Sequence, residues 1–338
     1  MINSLPVGKL PPDILTDLVV KRRINDSRVL LGPGVGLDCA VVDFGPSCLV
    51  FKSDPITFTT DELGWYAVQI NTNDIVTTGA LPRWLLMTLL LPEEGTTTAL
   101  VEEIFDQVYR ASEANGIDVI GGHTEITYGL DRPIIILTLI GEVNRADLVT
   151  TKGCNPGDDL LMTKCVPIEG ISILSREFAD LLADHLSHDE LMDGKNYLHY
   201  PGISVLQDAQ LATSAGEITA MHDPTEGGIS GALWELAIAS GRTLLVNYSA
   251  IPVSPLAEKM CSVLDIDPYS TIASGALLMT VDPKDTNNVC HTFAEYGIAC
   301  TKIGIVEEGS PRVVNENGGK RDIVIRPTRD EIARLYGG

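Results

Sequence analysis

The sequence predicts a mixed α/β protein of two domains, on three observations. Strand-like apolar runs alternate with helical patterns along the chain, from residues 39–43 to 285–296. The length, 338 residues, exceeds what a single core usually supports. A turn-rich stretch from Thr150 to Asp159, with Gly153, Asn155, Pro156 and Gly157, separates two apolar runs near the middle. The boundary is placed near residue 152, giving domains 1–152 and 153–338.

Taken in order, residues 39–43 and 49–51 read as strands around glycine-rich turns, followed by a long helix over 64–79. Thr97 or Thr98 caps a second helix. In it Leu100, Val101, Ile104, Phe105, Val108 and Tyr109 share one face, while Glu102, Glu103, Asp106 and Arg110 face out. Runs 84–91 and 134–140 fall well short of the roughly 18 residues of a membrane span and are bounded by Pro82, Pro92 and Gly141, so they are expected as buried strands. A short strand over 117–120 runs into Gly121-Gly122, and a polar loop leads to a buried strand over 134–143. Past the boundary, strands at 160–162, 244–246, 276–281 and 301–306 alternate with helical patterns at 170–182, 203–214, 225–240, 254–264 and 285–296.

Composition narrows the function. Charged residues make up 21% and hydrophobic ones 44%, the usage of a folded globular chain rather than a disordered one. Lys and Arg total 24 against 46 for Asp and Glu, a formal charge of −22 that repels nucleic acid and anionic membrane surfaces. An anionic substrate such as a nucleotide would therefore need a divalent cation held by oxygen ligands. The seven cysteines form no CxxC pair, which disfavours zinc ribbons and fits reduced, cytoplasmic usage. Lys9, Pro11 and Pro12 interrupt the region where a secretory peptide needs its apolar stretch, so no export signal is expected.

The common phosphate-loop, HExxH and GxSxG signatures are absent, and Gly32, Gly34 and Gly36 lead into a strand rather than opening a helix as a dinucleotide fingerprint requires. Other segments carry more. The helix over 64–80 has one charged residue, Asp74, with Asn71 three positions before it. A helix so poor in charge is buried, and a buried carboxylate needs either a cation or a set of donors. Asp38 and Asp54 sit at strand ends, and three such acids suit a hard cation as well as they suit turns and caps. Gly121-Gly122-His123-Thr124-Glu125 follows a strand, reading either as a ligand loop or as a plain turn. His222-Asp223-Pro224-Thr225-Glu226-Gly227-Gly228 precedes a helix whose free N–H groups favour a phosphate, unless Thr225 or Asp223 caps them.

Nine segments in order resemble the PurM-like superfamily related to aminoimidazole ribonucleotide (AIR) synthetase, closest to the branch of the hydrogenase maturation protein HypE. They are GKLP (8–11), GVGLDCAVV (34–42), SDPIT (53–57), NTNDIVTTGALPRW (71–84), GGHTE (121–125), PGDDLLMTK (156–164), EGISIL (169–174), HDPTEGG (222–228) and ASGALL (273–278). The resemblance implies an N-terminal α/β domain that pairs its sheet with a second copy in a homodimer, a C-terminal α/β sandwich, and ATP with Mg²⁺. It implies metal binding by Asp38, Asp54, Asp74 and Glu226, nucleotide binding by Lys9, Asn71, Gly121, Gly122, Thr124, Glu125, Gly227 and Gly228, and catalytic roles for His123 and Asp223. The implied activity is phosphorylation by Mg-ATP of an amide-type or other oxygen of a separate substrate. Two other readings stand beside it: a small-molecule kinase of the thiamine-monophosphate type, and a nucleotide-binding maturation partner without turnover.

Departures from the family pattern bear on these expectations. Leu37 stands where relatives often carry a first acid, His123 where a Gly-Gly-Asp-Thr form has aspartate, and Glu226 where typical HypE proteins have arginine. An acid at 226 is similar to the metal-binding motif of thiamine-monophosphate kinases. HypE proper ends in Pro-Arg-Ile-Cys, the cysteine carrying the carbamoyl group, whereas this chain reads Ile332-Ala-Arg-Leu-Tyr-Gly-Gly338 with its last cysteine at 300. The expectation is therefore a substrate other than its own tail.

Overall fold

The computed structural model describes residues 5, 9–20, 23–56 and 61–336. Gly8 and Thr57 of the quoted segments, with residues 337–338, lie outside them. After a helix α1 (Pro12–Val20), the chain forms β1 (Val29–Leu31), β2 (Ala40–Asp43), β3 (Ser47–Ile56), α2 (Leu63–Val76), β4 (Leu81–Pro92), α3 (Thr98–Ala114), β5 (Asp118–Thr127) and β6 (Ile134–Asn144). Next come β7 (Asp159–Thr163), α4 (Ile168–Glu177), α5 (Ala179–Leu182), α6 (His188–Asn196), α7 (Leu206–Ala215), β8 (Ile218–His222), α8 (Gly228–Ser240), β9 (Thr243–Val246) and α9 (Pro255–Leu264). The last elements are β10 (Leu278–Val281), α10 (Thr286–Glu295), β11 (Cys300–Glu307), β12 (Arg312–Asn317), β13 (Lys320–Val324) and α11 (Glu331–Leu335).

The chain divides into two units, one made of residues 24–32 and 38–148, the other of everything else. The main crossing falls at Leu148/Val149, and the described residues up to Arg23, together with 33–37, belong to the second unit rather than to the first half of the chain. Sequence order alone assigns those segments to the half in which they occur.

In the first unit β1-β2-β3-β6-β4-β5 form one sheet, antiparallel except for the β4–β5 pair. Residues alternate along β4, so Leu85, Met87, Leu89 and Leu91 point inward while Trp84 and Leu86 remain partly exposed. Thr97 is the N-cap of α3, its Oγ1 accepting from Leu100 N at 3.2 Å. Tyr109, expected on the apolar face, is exposed. The expected short strand and ligand loop after residue 117 form instead the continuous strand β5. Gly121-Gly122 resembles a turn, yet here it lets two backbones approach: a Cβ at Gly122 would lie 1.8 Å from the carbonyl oxygen of Met87 on β4.

The second unit is built on the sheet β13-β12-β9-β11-β7-β10-β8. One core joins Leu160, Leu244 and Leu278 of its strands to Ile229, Leu233 and Leu236 of α8. A second gathers Ile171, Leu174, Leu182, Met260 and Ile332 from α4, α5, α9 and α11. Strands β8, β12 and β13 lie outside the segments expected from sequence. The pair β12 and β13 is largely polar on its outward positions, which weakens the apolar alternation that marks a strand. Among the described residues, no helix is long and apolar enough to cross a membrane.

Candidate functional site

In the first unit, β3 sets Lys52 and Asp54 two residues apart and therefore on one side of the strand. α2 packs across β3 and β6 and brings Asp74 to them. Nearly all of α2 is buried, as its composition dictates, and its single charge is matched. Lys52 Nζ lies 2.9 Å from Asp74 Oδ2 and 3.0 Å from Asp54 Oδ2. The Asp74 and Lys52 side chains are only 3% and 10% exposed, against 40% for Asp54. Burial by itself would push Lys52 toward the neutral amine, but the carboxylates of Asp74, Asp38 and Asp54 overcome it and hold the ammonium well above the usual lysine range.

Around this pair the packing is specific. Asn71 Oδ1 accepts the backbone N–H of Asp54 at 3.1 Å, and Asn71 Nδ2 donates to Ala67 O at 2.9 Å, so Asn71 clamps strand to helix. Cys39, next to Asp38, is buried and its thiol donates to the Asp74 carbonyl at 3.2 Å. The structure thus gathers Asp38, Asp54, Asn71 and Asp74, with Lys52 at the centre. Nothing local singles out Lys52 in LVFKSDPIT; its one signal is the two-residue spacing from Asp54.

His123, Thr124 and Glu125 fall elsewhere, on the edge strand β5. His123 Nε2 and Glu125 Oε2 are 3.0 Å apart, both exposed. β6 and β4 stand between β3 and β5, three ladder steps of about 4.8 Å each. Within one chain the sheet does not bring Gly121, Gly122, His123, Thr124 or Glu125 to the acids around Lys52.

In the second unit the segment 222–228 leaves β8 and turns into α8. Its cap is Gly227, in the left-handed region, which has no side chain to cap the helix with; neither Thr225 nor Asp223 caps it. Gly228 also lies at positive φ, and a Cβ there would meet the Tyr269 and Thr271 carbonyl oxygens at 2.5 and 2.6 Å, so only glycine fits. Lys9 reaches this turn: its N–H donates to Glu226 Oε2 at 3.2 Å and its Nζ to Thr225 Oγ1 at 3.1 Å. Lys9 Nζ is also 4.0 Å from Glu235 Oε1, whose other oxygen pairs with His222 Nε2 at 3.0 Å. Asp223 is fully buried.

The Gly227 N–H donates to Asp330 Oδ2 at 2.7 Å, a partner outside every quoted motif. A cavity of about 290 Å³ opens here, lined by Lys9, Glu226, Gly227, Arg326, Arg329 and Asp330 among others. Buried beneath it, Glu169 of α4 has its carboxyl pushed up to about 7, first by burial and then by the fields of Asp330 and Glu226. Asp330 is likewise pushed up to about 7, chiefly by burial, against the lowering effect of the Gly227 and Ile332 N–H donors. This corner therefore combines backbone N–H groups, three cations and acids able to hold protons near neutrality.

Residues 36–143 match the family described as AIR synthase related protein, N-terminal domain, and residues 155–315 match its C-terminal domain. A Methanocaldococcus jannaschii protein named for hydrogenase expression/formation is 27% identical over 97% of each chain. The carbamoyl dehydratase HypE of Cupriavidus necator is 27% identical over 75% of this chain and 71% of that one. The fold is similar to that of a hydrogenase maturation protein HypE crystallised with ATP, with TM-score 0.71 and 23% identity, covering 97% of this chain and 98% of the other.

Proposed function

The chain belongs to the AIR synthase related protein family, and on that premise we propose that it is an ATP-dependent enzyme of the HypE branch that phosphorylates an amide-type or other oxygen of its substrate. The observation that carries this reading is the convergence of Asp54 and Asp74 on one cationic centre, with the field of Asp38 directed at the same ammonium. A buried helix that keeps a single carboxylate, and aims it at another, is built to hold positive charge. Relatives carrying the printed name carbamoyl dehydratase, and a similar fold crystallised with ATP, support the same reading.

The oxygen donors of Asp38, Asp54 and Asp74 suit Mg²⁺, which would neutralise phosphate charge when bound. The chain's own residues supply the remainder. The uncapped start of α8 offers backbone N–H groups to a phosphate, with Lys9 beside it. The reading also takes Glu226 as a metal ligand and Asp223 and His123 for proton handling, as the family resemblance implies. Gly121, Gly122, His123, Thr124 and Glu125 enter this reading only through the second copy of a homodimer, because within one chain β5 does not reach the acids around Lys52.

The reading includes a cytoplasmic homodimer. Trp84, Leu86, Ile120 and Ile126 are partly or well exposed on β4 and the edge strand β5, an apolar surface that a second copy would cover. Sedimentation at micromolar protein is expected to give a dimer.

The deciding experiment measures ADP release from Mg-ATP with and without carbamoyl donors and, separately, thiamine monophosphate. Release dependent on a carbamoyl or amide compound is expected. Release only with thiamine monophosphate would move the protein to the small-molecule kinases. Tight Mg-ATP binding with no release under any condition would assign it to the nucleotide-binding partners without turnover. Intact-mass measurement in the same incubations separates a free substrate from an adduct on the chain.

A further inference from the structure

We infer that Lys52 is the protein's own cation at the acid cluster, its ammonium holding the place between Asp54 and Asp74 that a divalent ion would otherwise take. The inference rests on the reading of Asp38, Asp54 and Asp74 as the metal-holding set, and it fixes how many ions that set accepts.

The geometry is specific. Nζ is 3.0 Å from one carboxylate and 2.9 Å from the other, the separation of two close ion pairs. Asp54 and Asp74 would hold a divalent ion with the same carboxylates that now face the ammonium, and such oxygen ligands suit Mg²⁺. The ammonium and a divalent ion are thus alternatives for one position rather than neighbours. Register holds the arrangement in place: Lys52 and Asp54 lie opposite Leu139 and Leu137 of β6, and Asn71 ties the Asp54 backbone to α2.

Charge balance gives the same result. Lys52 sets one positive charge in the fields of Asp74, Asp38 and Asp54, and removing it makes the cluster more negative by one charge, which favours one more cation. In a chain with 24 basic residues against 46 acidic ones, committing a lysine to this buried position is a specific choice. Lys52 is accordingly a positioning residue: it keeps Asp54 and Asp74 together before any ion arrives.

The test counts Mn²⁺ bound per chain by electron paramagnetic resonance, on the full protein without nucleotide. Lys52→Ser is expected to bind one Mn²⁺ more than the wild type, and Lys52→Arg, which keeps the charge, the wild-type number. If the wild type binds Mn²⁺ and the serine variant gains none, the role of Lys52 falls while the metal reading stands. If neither protein binds Mn²⁺, the metal reading falls and the inference with it. Should the serine variant be unstable, millimolar Mn²⁺ is expected to raise its melting temperature more than that of the wild type. An equal or smaller rise overturns the inference.

Discussion

Asp330 Oδ2 accepts the backbone N–H of Gly227 at 2.7 Å, joining the residue that starts the last helix to the residue that starts α8. Its other oxygen, Oδ1, accepts from Ile332 N at 2.9 Å and caps α11. One buried side chain thus caps α11 and anchors the residue that precedes α8. Asp330→Ala removes both acceptors, and the expected loss is about 2–3 kcal/mol of stability, read as a lower urea midpoint. An unchanged midpoint would show that the two hydrogen bonds of Asp330 contribute nothing to the second unit's stability.

Stability should also depend on pH through the acids beneath that contact. The Glu169 carboxyl is pushed up to about 7 from an unfolded value near 4.5, so between these values the folded chain binds more protons than the unfolded one. Its favourable contribution is complete below about pH 4 and is lost as pH rises through about 7. Glu169→Gln, neutral at every pH, is expected to leave stability near pH 4 little changed and to raise it by about 1–3 kcal/mol at pH 8. Urea melts of both proteins at the two pH values give the answer, and a gain larger at pH 4 than at pH 8 would reverse the assignment.

Asp54 and Asp74 should part company on substitution. Asp74 is the buried partner of Lys52, so Asp74→Asn leaves an ammonium poorly compensated and is expected to cost about 3 kcal/mol. Asp54 is far more exposed, and Asp54→Asn should cost less than about 1 kcal/mol. Both substitutions are expected to weaken Mg-ATP binding roughly tenfold or more, because each removes an anionic oxygen ligand. Calorimetry on the folded Asp54 variant is the cleaner measurement, and wild-type affinity there would count against a shared metal.

Cys290 of α10 and Cys300 at the start of β11 hold their sulfurs 3.9 Å apart, close enough for a small adjustment to join them. Burial, then the neighbouring thiol, pushes the Cys300 pKa up, so exchange should be slow at neutral pH and faster in alkali. Incubation with oxidised glutathione at alkaline pH is expected to lower the intact mass by two hydrogens and to stabilise the chain by about 2–3 kcal/mol. Cys290→Ser should abolish both effects, and a persistent glutathione adduct on the wild type would show that the pair cannot close.

Several features of the site are legible in the chain itself. A helix with Asp74 as its only charge must be buried, and its carboxylate must be paired; the spacing of apolar residues marks α3, and Thr97 marks its start. Gly227-Gly228 before an apolar run marks a helix entry. These are short-range properties, set by composition and by contacts a few residues apart.

Other features needed the folded chain. Gly121-Gly122 carries a turn signal, yet it pairs in parallel with β4 as strand, and at Gly122 only a residue without a Cβ fits against Met87. Asp330 acquires its role from a residue more than a hundred positions away. Lys52 is the sharpest case. The sequence alone establishes that Asp74 needs a cation or a set of donors, since burying a lone charge is too costly. That a lysine answers was decided by β3 and α2 meeting in space, because electrostatic pairing depends on distances between atoms that no local pattern encodes.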